Sequence, residues 1–371
     1  DQFYLQLQEQ AFLSLKLILK DEYLDQDYIY ISHDHPDHLC LNTINLFNKK
    51  IKIIIRKYKS PLIIKQKLSK LGFKNIIELD DEETFELKED FKLSLYIDES
   101  STDSLCLIHD KDFCFLDQND CLLTQQKYKK ISKKFKIDLG ALFYSGGSMF
   151  PGCFDFTTKE KIKITKKRIV DQFEYSIETA KLLNVKNVIP GANDMCFLNK
   201  STMDKFSSAL PFEYYNYVKK KKIPINVILM QSGDIYDSKK KFKNNYYVQS
   251  KEEWLRKVDE YRNSNAIKIL REKIKKFENV KRTADINEFE RLLKSYMQSR
   301  KFIFSESTGY NTFRVFFEIN CSKKKECFII HFSKEENKLV KTTERFSEKK
   351  NHMKISISEN FLQMCMDGEY T

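Results

Sequence analysis

Ile31-Ser32-His33-Asp34-His35-Pro36-Asp37-His38-Leu39 is the stretch on which the fold turns. The chain has six histidines, and three of them stand in this run. The residues before it, Asp27-Tyr28-Ile29-Tyr30, are aromatic and β-branched and predict a buried strand. Residues 43–49 predict a helix after it. The ligand-type side chains therefore fall on a tight loop at the C-terminal end of a strand, where α/β layer folds usually carry their chemistry. Imidazole suits zinc, iron, copper and nickel, and carboxylate adds a harder oxygen. Alternation along an extended segment puts His33 and His35 on one side. The turn at Pro36 redirects Asp37 and His38. Two metal positions can be served in this way, one by His33 and His35 and one by Asp37 and His38.

The surrounding composition allows a large core. The chain has 371 residues, of which 41% are hydrophobic, with only 9 Gly and 6 Pro. Disordered and low-complexity classes are excluded. The net charge of +12 favours an acidic partner such as a nucleotide, nucleic acid or anionic lipid. No Arg-rich arm or basic-aromatic repeat stands out, which argues against nucleic acid. The nine cysteines are scattered without a CxxC pair, which predicts a reducing, cytoplasmic setting rather than a disulfide scaffold. No apolar run reaches about 18 residues, so no membrane span is expected. The first residue is Asp1, not Met, which predicts a start inside a longer chain.

Further along, residues 51–56 (IKIIIR) predict a second strand and 61–71 a helix stopped by Gly72. Strand signals at 75–79 and 85–97 precede a hairpin over 105–109 and 113–117, turning at Asp110-Lys111-Asp112. Residues 125–136 and 158–183 predict helices, and 139–144 and 185–189 predict strands. Strands alternate with helices but hairpins interrupt them, so the expected class is α/β, with a mixed sheet sandwich flanked by helices. After about residue 235 the pattern changes. Helices over 252–277 and 286–300 and strands over 313–319, 327–332 and 353–357 predict a smaller α+β module. The expected division is a catalytic domain over 1–235 and an accessory module over 236–371, with Trp254 packing the second onto the first.

A metal pair on the histidine loop needs ligands from later loops. Asp120, at the end of the second hairpin strand, is the expected bridging carboxylate, with Asp117 as the alternative. His109, in the hairpin turn, reads as a surface residue, and His331 and His352 as structural ones. Ser145-Gly146-Gly147, at a strand end, can present backbone N–H groups to a phosphate or carboxylate.

His33-x-His35-x-Asp37-His38 resembles the hallmark loop of the metallo-β-lactamase superfamily. Within it the chain is most similar to the catalytic domain of CMP-N-acetylneuraminate hydroxylase. The resembling stretches are Tyr28 to Leu39, Asn119-Asp120-Cys121, Tyr144-Ser145-Gly146-Gly147 with Phe150-Pro151, and Pro190-Gly191-Ala192. They cover roughly residues 1–200. The resemblance implies an αββα sandwich and two divalent metal ions, iron or zinc. It implies His33, His35, Asp37, His38 and Asp120 as ligands, with Asp37 and His38 also catalytic. Tyr144, Ser145, Gly146 and Gly147 would meet substrate.

Two departures matter. A further histidine usually stands about 20 residues before the bridging Asp, and here Glu99 takes the best-matching place, beside Asp98. The usual late-loop histidine is also missing, and Asn193 is the nearest candidate, as a substrate-binding residue, with Asp194 beside it. His33, His35 and Glu99 would form the two-His, one-carboxylate set of non-haem Fe(II) oxygenases. The hydroxylase family also carries a Rieske domain, whose Cys-x-His and Cys-x-x-His pattern does not occur in this chain. An oxidation would then need electrons from a separate electron-transfer partner or from a missing N-terminal part.

Three functions follow as expectations. The first is a hydroxylase-like, iron-dependent oxygenase acting on an anionic or nucleotide-linked small molecule. The second is a dinuclear hydrolase of phosphodiesters, lactones or amides, in which metal activates water. The third is a non-catalytic protein with a degraded site.

Overall fold

The computed structural model describes residues 24, 26–35, 38–58, 63–99, 101–146, 150–152, 154, 156–191, 209–230, 234–240, 242, 250–299, 312–321, 325–333, 337–344, 346–347, 349 and 352–366. The strand expected before the histidine loop is β1 (Tyr28–Ile31). A short helix α1 (Leu41–Ile44), strand β2 (Lys52–Arg56), helix α2 (Ile63–Lys70) and strand β3 (Ile76–Leu79) follow. The three strands form a parallel sheet in the order β1-β2-β3, with Ile31 opposite Ile55.

The IKIIIR run is apolar on both faces because both faces are covered. Ile53 and Ile55 join Ile29 and Ile31 against Leu39, Ile44, Ile64, Leu68 and Phe73 on the helical side. Ile54 points the other way, into a core with Leu79, Leu93, Leu95, Ile97 and Cys106. Ile53, Ile54 and Ile55 are all fully buried. Burying each contributes about 1.5–3 kcal/mol.

The second sheet holds β4 (Thr84–Lys88), β5 (Phe91–Ile97), β6 (Ser104–His109), β7 (Cys114–Asp117), β8 (Leu139–Phe143), β9 (Asn187–Gly191) and β10 (Asn226–Val227). Its order is β10-β9-β8-β7-β6-β5-β4. The β4 to β7 part is a meander of hairpins, and β7 to β10 run parallel. Asp110 fixes the predicted turn by accepting from the backbone N–H of Asp112 (2.7 Å) and Phe113 (2.8 Å). The helices α3 (Gln125–Lys134), α4 (Thr158–Leu183), α5 (Pro211–Lys221) and α6 (Lys251–Arg262) complete this part. Thr157 and Glu160 form a capping box at the start of α4, and Asn184 ends it in the left-handed region.

Leu105, Leu107, Leu116, Leu142 and Val188 face Tyr128, Phe173, Ile177 and Trp254 across the outer side of the second sheet. Helix, sheet, sheet and helix therefore stack as four layers, the αββα order expected. The loops after β1, β7 and β8 carry the residues of interest.

The chain divides between Ser264 and Asn265 into two compact units. The composition instead suggested a division after residue 235, and one helix over 252–277. That stretch is two helices, α6 and α7 (Asn265–Glu278), broken at Asn263 and Ser264. Asn263 and Ser264 are poor helix formers whose side chains compete for backbone groups, and Asn263 Nδ2 donates to Asp259 O (2.8 Å). Trp254 and Val258 of α6 lie in the core of the first unit.

The second unit adds α8 (Ile286–Ser299), β11 (Thr312–Asn320), β12 (Lys325–Ser333), β13 (Lys338–Lys341), β14 (His352–Ser358) and α9 (Glu359–Met366). Its sheet, ordered β13-β12-β11-β14, covers one face with Ile319, Phe328, Leu362 and Ala284. Among the described residues, no helix is long and apolar enough to cross a membrane.

Candidate metal centre

The histidine loop leaves β1 as a buried turn. The backbone N–H groups of His38 and Leu39 both donate to His35 O, at 2.9 and 2.7 Å. This folds His38 back over His33, with ring centroids 4.1 Å apart. His33 is fully buried, while His35 is exposed. Nε2 of His33 and Nδ1 of His35 stand 2.8 Å apart, so two ring nitrogens aim at one point.

A carboxylate oxygen of Asp120 joins this pair, all three ligand atoms lying within 4.8 Å of one another. Two ligand atoms on opposite sides of an ion, each at about 2.0–2.2 Å, are about 4 Å apart. The cluster therefore has the dimensions of a single-ion site. Asp120 also meets His38, whose Nε2 is 3.4 Å from Oδ2. It thus stands between the His33–His35 pair and His38. Its placement follows from β7, after which Asn119 adopts a left-handed backbone (φ 42°) and its Oδ1 accepts from Asp120 N (2.8 Å).

A polar network beneath the loop ties the two sheets together. Tyr30 donates from its hydroxyl to Ser104 O (2.9 Å), Ser104 Oγ to Ser32 O (2.8 Å), and Asn119 Nδ2 to Ser104 O (2.8 Å). Ser32 Oγ lies 3.0 Å from His33 Nδ1 and 3.3 Å from His38 Nδ1. With Nδ1 of His33 engaged by the serine, Nε2 is the nitrogen left toward His35 and Asp120. Such fixing of ring orientation through the far nitrogen is the usual support of a metal-binding histidine.

Electrostatics match this use. Burial, with the nearby His38 and His35, lowers the His33 pKa to about 3, so its ring is neutral and its lone pair open. Burial pushes the Asp120 carboxyl up, but the His38 hydrogen bond and the three imidazoles outweigh it, and its pKa falls below the ordinary value. Asp117 behaves oppositely, because burial raises it more than the Asn119 N–H and His38 lower it.

Of the residues expected at the site, the structure brings His33, His35, His38 and Asp120 together. Asp37, Gly147, Asn193 and Asp194 lie outside the described residues. Glu99 does not enter the cluster: it is exposed, two residues beyond β5. The carboxylate beside His33 is Asp103, whose Oδ1 lies 3.6 Å from His33 Nδ1. That oxygen is buried and has no hydrogen-bond partner among the described residues. Spacing favoured Glu99, 21 residues before Asp120, over Asp103, 17 before it. The signal for Asp103 was its position directly before the first residue of β6.

Three backbone carbonyls fix the segment carrying Asp103. Nη1 of the buried Arg56, at the end of β2, donates to Asp98 O (3.0 Å), Ser101 O (3.0 Å) and Asp103 O (2.9 Å). Replacing Asp103 with Asn keeps the shape and removes the charge facing His33. We expect metal affinity to fall about 10- to 100-fold, as for other outer-sphere carboxylates. Competition against a chromogenic chelator measures it, and unchanged affinity would remove Asp103 from the site.

The expected substrate residues are placed differently from one another. Tyr144 and Ser145 are buried, and both hold Ala209: Tyr144 donates to its carbonyl (3.1 Å), and Ser145 Oγ accepts from its N–H (3.2 Å). Their side chains fix the chain ahead of α5. Gly146 is partly exposed, and a Cβ there would lie 3.1 Å from Gln172 Nε2. His109 is half-buried on β6 and lies 3.0 Å from Ser94 Oγ. His331 and His352 belong to strands of the second unit.

No family model matches the chain. It is 25% identical over 190 residues to a provisionally named Rieske 2Fe-2S iron–sulfur protein of Mycolicibacterium smegmatis, covering 48% of this chain and 36% of that protein. A protein provisionally named in the same way, from Mycobacterium tuberculosis, is 24% identical over 182 residues, 46% of this chain and 35% of its own. The chain thus spans about a third of the length of these curated relatives. In structure it is similar to an isothiocyanate hydrolase from Delia radicum gut bacteria, with TM-score 0.39 and 15% identity over 58% of this chain and 77% of that one. It is also similar to the metallo-β-lactamase fold protein YhfI of Bacillus subtilis, with TM-score 0.39 and 14% identity over 61% and 84% of the two chains. The stacked layers of this chain, with the histidine loop at the end of β1, make it a mixed α/β sandwich of the αββα kind.

Proposed function

We propose that the chain is a metal-dependent enzyme that oxidises an anionic small molecule, with iron as the resident metal. The observation that carries this reading is the ligand set. His33 Nε2 and His35 Nδ1 converge at 2.8 Å, and the ligand-type group that joins them is a carboxylate, Asp120, while His38 pairs with Asp120 and Asp103 backs the far nitrogen of His33. Two imidazoles and a carboxylate with open positions are the ligand type of non-haem Fe(II) oxygenases. The partial likeness to proteins provisionally named for a Rieske centre supports an electron-transfer setting. A hydroxylase-like activity drawing electrons from a separate partner fits both. Within the site, His33, His35 and Asp120 would hold the ion, and Ser32 would fix the His33 ring. His38 would hold a proton on Nε2 toward Asp120. Asp37 keeps its expected role as a further ligand and catalytic residue. Bound there, the metal would supply redox and Lewis-acid chemistry.

Metal analysis of anaerobically purified chain tests this, with EPR after nitric oxide is added to the Fe(II)-loaded protein. About one equivalent of iron and a high-spin nitrosyl signal that disappears in His35→Ala are expected. Zinc alone, with no signal on iron loading, would contradict the oxidative reading. A second reading, a dinuclear hydrolase, is favoured by the 3.4 Å approach of His38 to Asp120, which could serve a second ion. Two zinc equivalents per chain would select it.

A further inference from the structure

Helix α4 carries a polar stripe, buried at Thr165 and half-buried at Arg168 and Gln172, that the metal centre does not use. Thr165, Arg168 and Gln172 are spaced three and four residues apart and share one face of the helix. Thr165 Oγ1, Arg168 Nε and Nη2, and Gln172 Oε1 are all buried without a hydrogen-bond partner among the described residues. The remaining terminal nitrogen of Arg168, Nη1, donates to Phe150 O (2.6 Å). Burial lowers the Arg168 pKa, and no carboxylate among the described residues offsets it.

A half-buried guanidinium with two buried, unpaired donors is costly unless something completes it. The two open nitrogens are the ones that matter. Nε and Nη2 form the side of the guanidinium whose parallel N–H groups match the two oxygens of a carboxylate or phosphate. The third donor is already fixed on the Phe150 carbonyl, which pre-orients the fork.

Gln172 of the stripe comes close to the loop after β8, the strand beside the one that leads to Asp120. Strands β7 and β8 are parallel neighbours with Asp117 opposite Ala141, so the loops after them leave the same edge of the sheet. Gln118, two residues before Asp120, accepts from Phe143 N (3.0 Å). Gly146, three residues after Phe143, is the position whose added Cβ would meet Gln172. The absence of a side chain at Gly146 leaves Gln172 room. Phe150, whose carbonyl holds Arg168, packs its ring against Phe154 (5.0 Å) and Phe156 (6.4 Å).

We propose that Arg168, with Gln172 beside it, binds the anionic group of a small molecule, a carboxylate or a phosphate, through the Nε and Nη2 fork. This deepens the reading above by naming the substrate's charged group. It rests on that reading only in taking the bound molecule to be the substrate.

Isothermal titration of the chelator-treated, metal-free chain with inorganic phosphate and, separately, with acetate tests the site apart from any metal. Saturable binding of at least one anion is expected. Whichever binds more tightly identifies the group. Binding should weaken about tenfold or more in R168Q, the loss expected of a charge-assisted pair. R168K keeps the charge but loses the fork, so it is expected to fold and to bind less well, which covers the case of an unfolded R168Q. Failure of both anions to bind the unaltered chain would overturn the proposal, as would undiminished binding in folded R168Q or R168K. A chain that binds phosphate at Arg168 but holds no metal would sink the metalloenzyme reading and leave this site standing.

Discussion

Replacing His35 with Ala is expected to lower metal affinity at least about a hundredfold and to leave the metal-free fold intact. Structural metal sites with four ligands bind with roughly 10–16 kcal/mol, about 3 kcal/mol per ligand. At about 1.4 kcal/mol per tenfold, losing one ligand costs more than a factor of a hundred. The fold should not notice. His35 is exposed, and surface substitutions usually change stability by less than about 0.5 kcal/mol. Its structural bonds run through its carbonyl, which accepts from His38 N and Leu39 N and is kept by alanine. His33→Ala would be ambiguous, because His33 is fully buried and packs against both other rings. Metal titration and a thermal melt on His35→Ala separate the two effects. Retained affinity would show that the 2.8 Å pair is not a ligand pair. A large fall in melting temperature would show that it is a structural one.

Arg56→Met is expected to destabilise the chain by about 3–5 kcal/mol, roughly ten degrees in melting temperature. Arg56 is 7% exposed, and one nitrogen serves three carbonyls that methionine cannot reach as a donor. A part-buried carbonyl that loses its donor costs up to about 1–3 kcal/mol, partly recovered where water enters, and less at Asp103 O, which keeps the Asp98 N–H (3.2 Å). Stacking on Tyr58, 4.9 Å from the ring centroid, would go as well. The effect should reach the site, because the Asp103 carbonyl is one of the three. A tenfold or larger loss of metal affinity is expected, in the range for residues that support a ligand. Lysine should not rescue it, having neither the planar group nor the reach to all three oxygens. Stability within about 1 kcal/mol of the unaltered chain would remove Arg56 as the clamp.

Much of the fold was legible because its decisive signals are local. The Tyr28-Ile29-Tyr30-Ile31 run and the IKIIIR run have to be buried on both faces, and a parallel sheet between a helical layer and a second sheet does that. The hairpin at Asp110 and the long α4 follow from turn chemistry and capping within a few residues. His33 and His35 were readable for the same reason. Asp103 and Arg56 were not, because their positions depend on β2 of one sheet meeting the β5–β6 turn of the other. Arg56 looked like the polar end of a strand until its three carbonyl partners, more than 40 positions away, were in place. Glu99 matched by spacing alone, and spacing does not say which residue of a turn faces inward. The unit boundary was misplaced because the composition shifts near residue 235, while packing continues through Trp254.

Iron K-edge X-ray absorption on the anaerobically loaded chain tests most directly whether His33, His35 and Asp120 hold the metal. A shell of nitrogen and oxygen at about 2.0–2.2 Å, with the multiple scattering of two imidazoles, is expected. One imidazole should be lost in His35→Ala. A spectrum without imidazole scattering, or one unchanged by that substitution, would contradict the assignment.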